Sequence, residues 1–97
     1  MVYMFDIDGT LCNNTDGKYD DALPYVERIV VVNKLYDDGH IIKLYTSRGK
    51  TTGIDWSELT AKQMNDWDVK HHELMMGKPF YDIFVDDKAI SDTRFFA

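Results

Sequence analysis

Four short apolar runs, each closed by small polar or acidic residues, set the rhythm of the chain. Val2 to Phe5 reads as a buried strand that stops in Asp6 and Asp8, with Gly9 directly after. Ile41 to Tyr45 reads as a second strand, ending in Thr46, Ser47, Arg48 and Gly49. Glu73 to Met76 reads as a short third strand before Gly77-Lys78-Pro79. Tyr81 to Val85 reads as a fourth, ending in Asp86-Asp87. Between the first two runs, Leu23, Val26, Ile29, Val30, Asn33 and Tyr36 recur at helical spacing. Asp20 or Asp21 can cap that helix, Pro24 suits its first turn and Gly39 its end. The Ile29-Val30-Val31-Val32 run favours strand, but the bracketing start and stop signals decide for helix. A second helix follows from Asp55 and Glu58 at capping-box spacing, with Trp56, Leu59, Met64 and Trp67 on one face to near Asp68. Cys12 to Asp21 and Lys50 to Gly53 read as loops, and Lys88 to Ala97 as a tail with one helical turn around Asp92.

Alternation of strand and helix predicts an α/β fold, a parallel sheet of about four strands with right-handed crossovers. In such sheets ligands bind outside the carboxyl ends of the strands. The polar residues that end these strands would therefore share one edge. Asp6 and Asp8 are two anions one residue apart, an arrangement that is costly without a compensating cation or substrate group.

Composition narrows the picture. The 97 residues suffice for one domain, residues 1–97, and 13% aromatic content fills a small core efficiently. The net charge of −6 argues against nucleic acid or an anionic membrane as partner. No apolar run approaches the roughly 18 residues of a membrane span. Cys12 stands alone, which excludes an internal disulfide and suits a reducing, cytoplasmic compartment. No activating partner stands beside it to make it a nucleophile. His71 and His72, adjacent on an extended segment, would point to opposite sides and not share a metal.

Asp6-Ile-Asp8-Gly9-Thr10, Thr46 after a strand, Lys78, and Asp86-Asp87 after a strand form an ordered set. The chain resembles in this the haloacid dehalogenase superfamily of phosphohydrolases, and the resemblance spans all four motifs of that family. The segment from Glu73 to Ala89 is similar to small members found among bacterial capsule and surface-sugar genes and in phages. The resemblance implies a minimal Rossmann-like domain and hydrolysis of a phosphomonoester, such as a phosphorylated sugar, through an aspartyl-phosphate. It makes Asp6 the nucleophile and Asp8 the general acid and base. Thr46, with Ser47, and Lys78 would hold phosphoryl oxygens. Mg²⁺ would be the cofactor, held by a carboxylate oxygen of Asp6, the backbone carbonyl of Asp8 and Asp87, with Asp86 reaching it through water. Asp92 matches an outer acid of some members, or else caps a helix. Asp68 stands where relatives favour glycine.

The gaps from Thr10 to Thr46 and from Thr46 to Lys78 each already hold a helix. Neither has the roughly 50 further residues a separate cap domain needs. A capless, open site is expected, with selectivity from the Cys12–Asp21 loop, the Lys50–Gly53 loop, Arg48 as a clamp on a second anionic group, or a partner subunit in a homo-oligomer. Three other readings stand beside this one. A regulatory binding module would keep the motifs without turnover. A receiver-type phosphoacceptor domain uses similar residues, but its acid pair belongs to the first strand. A phosphatase acting on nucleic-acid ends or phosphoproteins would suit an open site.

Overall fold

The computed structural model describes all 97 residues. Strand β1 runs Val2–Asp6, and a 3-10 turn follows at Tyr19–Asp21. Helix α1 spans Val26–Asp37, strand β2 Ile41–Tyr45, helix α2 Ser57–Asp66, strand β3 Glu73–Met75 and helix α3 Asp92–Phe95. The strands form one parallel sheet in the order β1-β2-β3. Tyr3 pairs with Ile42 and Phe5 with Leu44, while Leu44 also pairs with Leu74. Strands and helices alternate, and no domain is inserted between them.

The two-residue period of a strand assigns each side chain a face. Phe5, Ile42 and Leu44 point into a core that also holds Ile29 and Val32 from α1 and Met64 from α2. Their neighbours Val2, Met4 and Ile41 stay exposed, so the opposite face of the sheet is open. The β-branched run of α1 is helical, since Ile29 and Val32 recur three apart on the buried side. Tertiary burial here outweighs local strand preference.

Two helix starts lie later than expected. Asn13 N–H donates to Leu23 O and Tyr25 N–H to Leu11 O, which holds residues 23–25 extended beside 11–13. Pro24 therefore precedes α1 rather than entering its first turn, and Asp20 and Asp21 fall in the 3-10 turn. Asp55 accepts from the backbone and hydroxyl of Ser57 at 2.9 and 2.6 Å, with no reciprocal bond from Glu58.

The sheet has three strands rather than about four. Tyr81–Val85 forms no strand and lies exposed. The cause is the path of the chain. Lys78 N–H donates to Thr46 O at 3.0 Å, which fixes the chain at the carboxyl edge only three positions before Tyr81. A fourth parallel strand would have to begin at the opposite edge.

Gly49, at φ +79°, makes the turn after β2. A Cβ there would lie 1.9 Å from Ile54 O, a backbone atom. At Gly9, φ +84°, a Cβ would meet only the movable amide of Asn14 at 2.8 Å. Gly9→Ala should thus cost about 1–2 kcal/mol, the ordinary left-handed penalty, and Gly49→Ala clearly more, measured by urea unfolding. Asp68, at φ +56° just past α2, carries that penalty already. Asp68→Gly should stabilise the fold by about 1 kcal/mol in the same assay.

Candidate active site

Strand β1 delivers Asp6 to the carboxyl edge, and the turn through Gly9 brings Asp8 beside the loop that follows β2. Lys78 reaches the same edge from beyond β3, with Nζ 3.4 Å from Asp6 Oδ1. Together they line a cleft of about 320 Å³ with Asn14, Thr15, Asp16, Ser47 and Tyr81. A wider depression of about 520 Å³, between Pro24–Arg28 and Asp92, contains neither Asp6, Asp8 nor Lys78.

Burial raises the Asp6 carboxyl above its usual value, against the opposing pull of Lys78 and the Ile7 N–H. Burial works to lower the Lys78 ammonium, but Tyr81 and Asp6 outweigh it and the net shift is upward. The Lys78 Nζ also lies 5.0 Å from the centre of the Tyr81 ring. Lys78 thus stays a cation beside a carboxylate that is half-removed from water.

Arg48 has a use other than the expected substrate clamp. Its side chain is 0% exposed. Nε and Nη2 donate to Asp8 Oδ2 and Oδ1, both at 2.9 Å. Nη1 donates to Thr60 Oγ1 and Gln63 Oε1 on α2, and the guanidinium lies 4.7 Å from the centre of the Tyr19 ring. Gln63 Nε2 then donates to Tyr19 O. Every face of Arg48 is engaged, so no donor is left for a ligand. Arg48 orients Asp8.

Thr46 is also placed differently from expectation. It is buried beneath the cleft, where its Oγ1 accepts the Arg48 N–H and its carbonyl accepts from Lys78. Ser47, not Thr46, lines the cleft wall. Thr15 brings a hydroxyl the motifs did not name. Its Oγ1 is buried without a hydrogen-bond partner at the cleft, and such an orphan is uncommon in a folded protein. The polar character of the Cys12–Asp21 loop was the only advance signal for it. Thr60 and Gln63 were legible in principle as polar residues three apart on the buried face of α2.

Asp86 and Asp87 do not join this cluster. Both are exposed, and Asp86 Oδ2 accepts only the N–H of Lys88. Nowhere do three His, Cys, Asp or Glu side chains come together to hold a metal. Arg48 takes the Asp8 carboxylate and leaves its main-chain carbonyl unbonded, so of the expected Mg²⁺ ligands it is Asp86 and Asp87 that a single chain holds away from Asp6. Asp92 is an anchor at the start of α3. Its Oδ2 accepts from Arg28 Nη1 at 2.7 Å, and that bond holds its carboxyl below the usual value. Cys12 is buried, with Sγ 3.5 Å from Asp8 Oδ1. Burial first, and the Asp8 charge next, push its thiol up to about 12. The two histidines are separate: His71 contacts Val69 O, while His72 accepts from Ile42 N–H and stacks on Tyr36.

No protein-family model matches the chain, and no curated protein matches it. Its α/β fold is that of a structural-genomics target from Vibrio cholerae solved by crystallography. The TM-score is 0.89 at 22% identity, over 99% of this chain and 87% of that one. No helix is long and apolar enough to cross a membrane.

The Asp8–Arg48 pair should dominate local stability. Removing one partner of a buried pair costs about 3–5 kcal/mol, because the other charge is stranded. Arg48→Met and Asp8→Asn should each be strongly destabilising in urea titrations. The double variant should be less so than their sum by at least about 1 kcal/mol. Additive losses would mean that the two side chains act independently.

Proposed function

We propose that this chain is a phosphomonoester hydrolase of the haloacid dehalogenase type, with a Rossmann-like core and Asp6 as its nucleophile. One observation carries the reading. Asp6 and Lys78 face each other across 3.4 Å at the carboxyl edge, in a cleft that also holds Asp8 and Ser47.

In this mechanism an Asp6 oxygen attacks phosphorus, and the bond from phosphorus to the ester oxygen breaks. Asp8 acts as general acid and passes a proton to the departing oxygen. Its Oδ2 keeps a second lone pair beside the one used by Arg48, whereas Oδ1 accepts from both Arg48 and the Cys12 thiol. Water then attacks the aspartyl-phosphate, Asp8 takes a proton from it, and Asp6 is released with inorganic phosphate. Lys78 offsets charge on the phosphoryl oxygens, and the Ser47 hydroxyl at the cleft wall would donate to them. Asn14, Asp16 and Ser47 make a polar wall suited to a hydroxyl-rich substrate such as a phosphorylated sugar. The family's cofactor, Mg²⁺, would supply a further cation to the phosphoryl group when bound.

A second reading, a binding module without turnover, is favoured by one observation: Arg48 holds both oxygens of Asp8. Phosphate release from a panel of sugar phosphates and para-nitrophenyl phosphate, with and without Mg²⁺, separates the two. Turnover supports the enzyme, and saturable binding without turnover supports the module.

Asp6→Asn should abolish release and form no phosphoryl adduct by intact mass. Asp8→Asn, with its fold verified by circular dichroism, should lose about 10²–10⁴-fold in steady state. It should still give a burst of nitrophenol and carry a phosphoryl mass. Attack requires ionised Asp6, and burial raises the pH at which it ionises. Activity should therefore rise with pH through a limb lying above 3.8, the ordinary value. Lys78→Met removes the opposing cation and should move that limb to still higher pH. A limb unmoved in Lys78→Met would separate Lys78 from Asp6.

A further inference from the structure

Strand β1 pairs only with β2, which leaves its other edge free. An unpaired edge presents a row of N–H and C=O groups to any strand that can reach it. The same chain carries an unpaired strand-like segment. From Phe80 to Val85 no backbone N–H or C=O makes a hydrogen bond within the chain. Its apolar side chains face solvent, with Ile83 81% and Val85 89% exposed. Five residues, Tyr81–Val85, match the five of β1 in length.

The chain cannot close this gap itself with a parallel strand. Lys78 is bonded to Thr46 O, just beyond the carboxyl end of β2. Tyr81 comes three positions later, a reach of about 11 Å at most. A parallel strand beside β1 must start at its amino end, about 13 Å back along the sheet and about 10 Å across it. Running antiparallel, the segment could pair within the chain. It would then carry Asp86 and Asp87 to the amino edge, away from Asp6. Beyond the segment, Asp92 returns to Arg28. Residues 79–91 thus form an arm anchored at both ends.

We propose that Tyr81–Val85 of a second copy of this chain adds as a parallel strand to the free edge of β1, and so brings that copy's Asp86 and Asp87 beside Asp6. Exchange is reciprocal, because a two-fold dimer presents the same patch on both subunits. Eight positions separate Lys78 from Asp86, so the two sites lie within about 28 Å of each other. The missing carboxylates of the cation site then come from the partner. That use of the acids rests on the phosphatase reading, whereas the strand exchange does not.

Sedimentation velocity should find a dimer, and Ile83→Lys with Val85→Lys should convert it to a folded monomer. Co-expressed Met4→Cys and Ile83→Cys chains should be joined to each other by a short bis-maleimide. Cys12 is buried and will not compete. A monomeric wild type overturns the proposal, as does a dimer in which these unlike chains are not joined, which would point to pairing through the open face of Val2, Met4 and Ile41. Activity gives an independent arm. Asp6→Asn and Asp87→Asn should each be inactive alone. Co-expressed, they should recover about a quarter of wild-type activity, since half the dimers are mixed and each has one intact site of two. No recovery in a wild-type-active protein overturns supply in trans. If the wild type releases no phosphate at all, the phosphatase reading fails while the cross-link still decides the strand exchange.

Discussion

A buried guanidinium organises this small protein. Arg48 sits where water cannot reach it, so its charge must be answered by protein groups or the fold does not form. Asp8 answers the charge, Thr60 and Gln63 take the remaining donors, and Tyr19 closes one face. These residues come from the turn after β1, the 3-10 turn and α2. The bond from Gln63 to Tyr19 O ties the last two together. One side chain thereby fixes how three parts of the chain meet. It also fixes the direction in which Asp8 faces the cleft.

This keystone explains why the site is stiff on one side and open on the other. Asp8 and the Thr46 hydroxyl belong to the network, and neither can move without disturbing α2. Asp6 and Lys78 lie outside it, joined to each other at a longer 3.4 Å and partly in contact with solvent. The proposed chemistry uses both parts: a carboxylate free to form a bond to phosphorus, and a neighbour held in place to pass a proton.

Much of the fold was legible in the sequence, because its signals are local. The apolar runs of β1, β2 and β3 each stop at polar and glycine residues. The α1 helix could be read through its β-branched run because burial recurs at Ile29 and Val32. Asp6, Asp8 and Lys78 were found by motif, and the structure brings them to one cleft. The misreadings share a cause. A strand pattern in Tyr81–Val85 states what the segment favours, while the tether at Lys78 decides where it can go. Arg48 followed by glycine looks like an exposed turn. Only the fold reveals that positions 8, 48, 60 and 63 meet. Thr15 was hidden for the same reason, since an orphaned hydroxyl is defined by its surroundings and not by its neighbours in sequence.

The position of Cys12 has a consequence for following this molecule in motion. It is the chain's single sulfhydryl, packed against Asp8 and 3.9 Å from Arg48 Nη2. Its elevated ionisation point and its burial make it silent towards alkylating reagents while the network is closed. Labelling can then proceed only when the keystone opens. The rate of alkylation in native buffer therefore counts those openings directly, and the protein carries its own gauge of how often the carboxyl edge of its sheet comes apart.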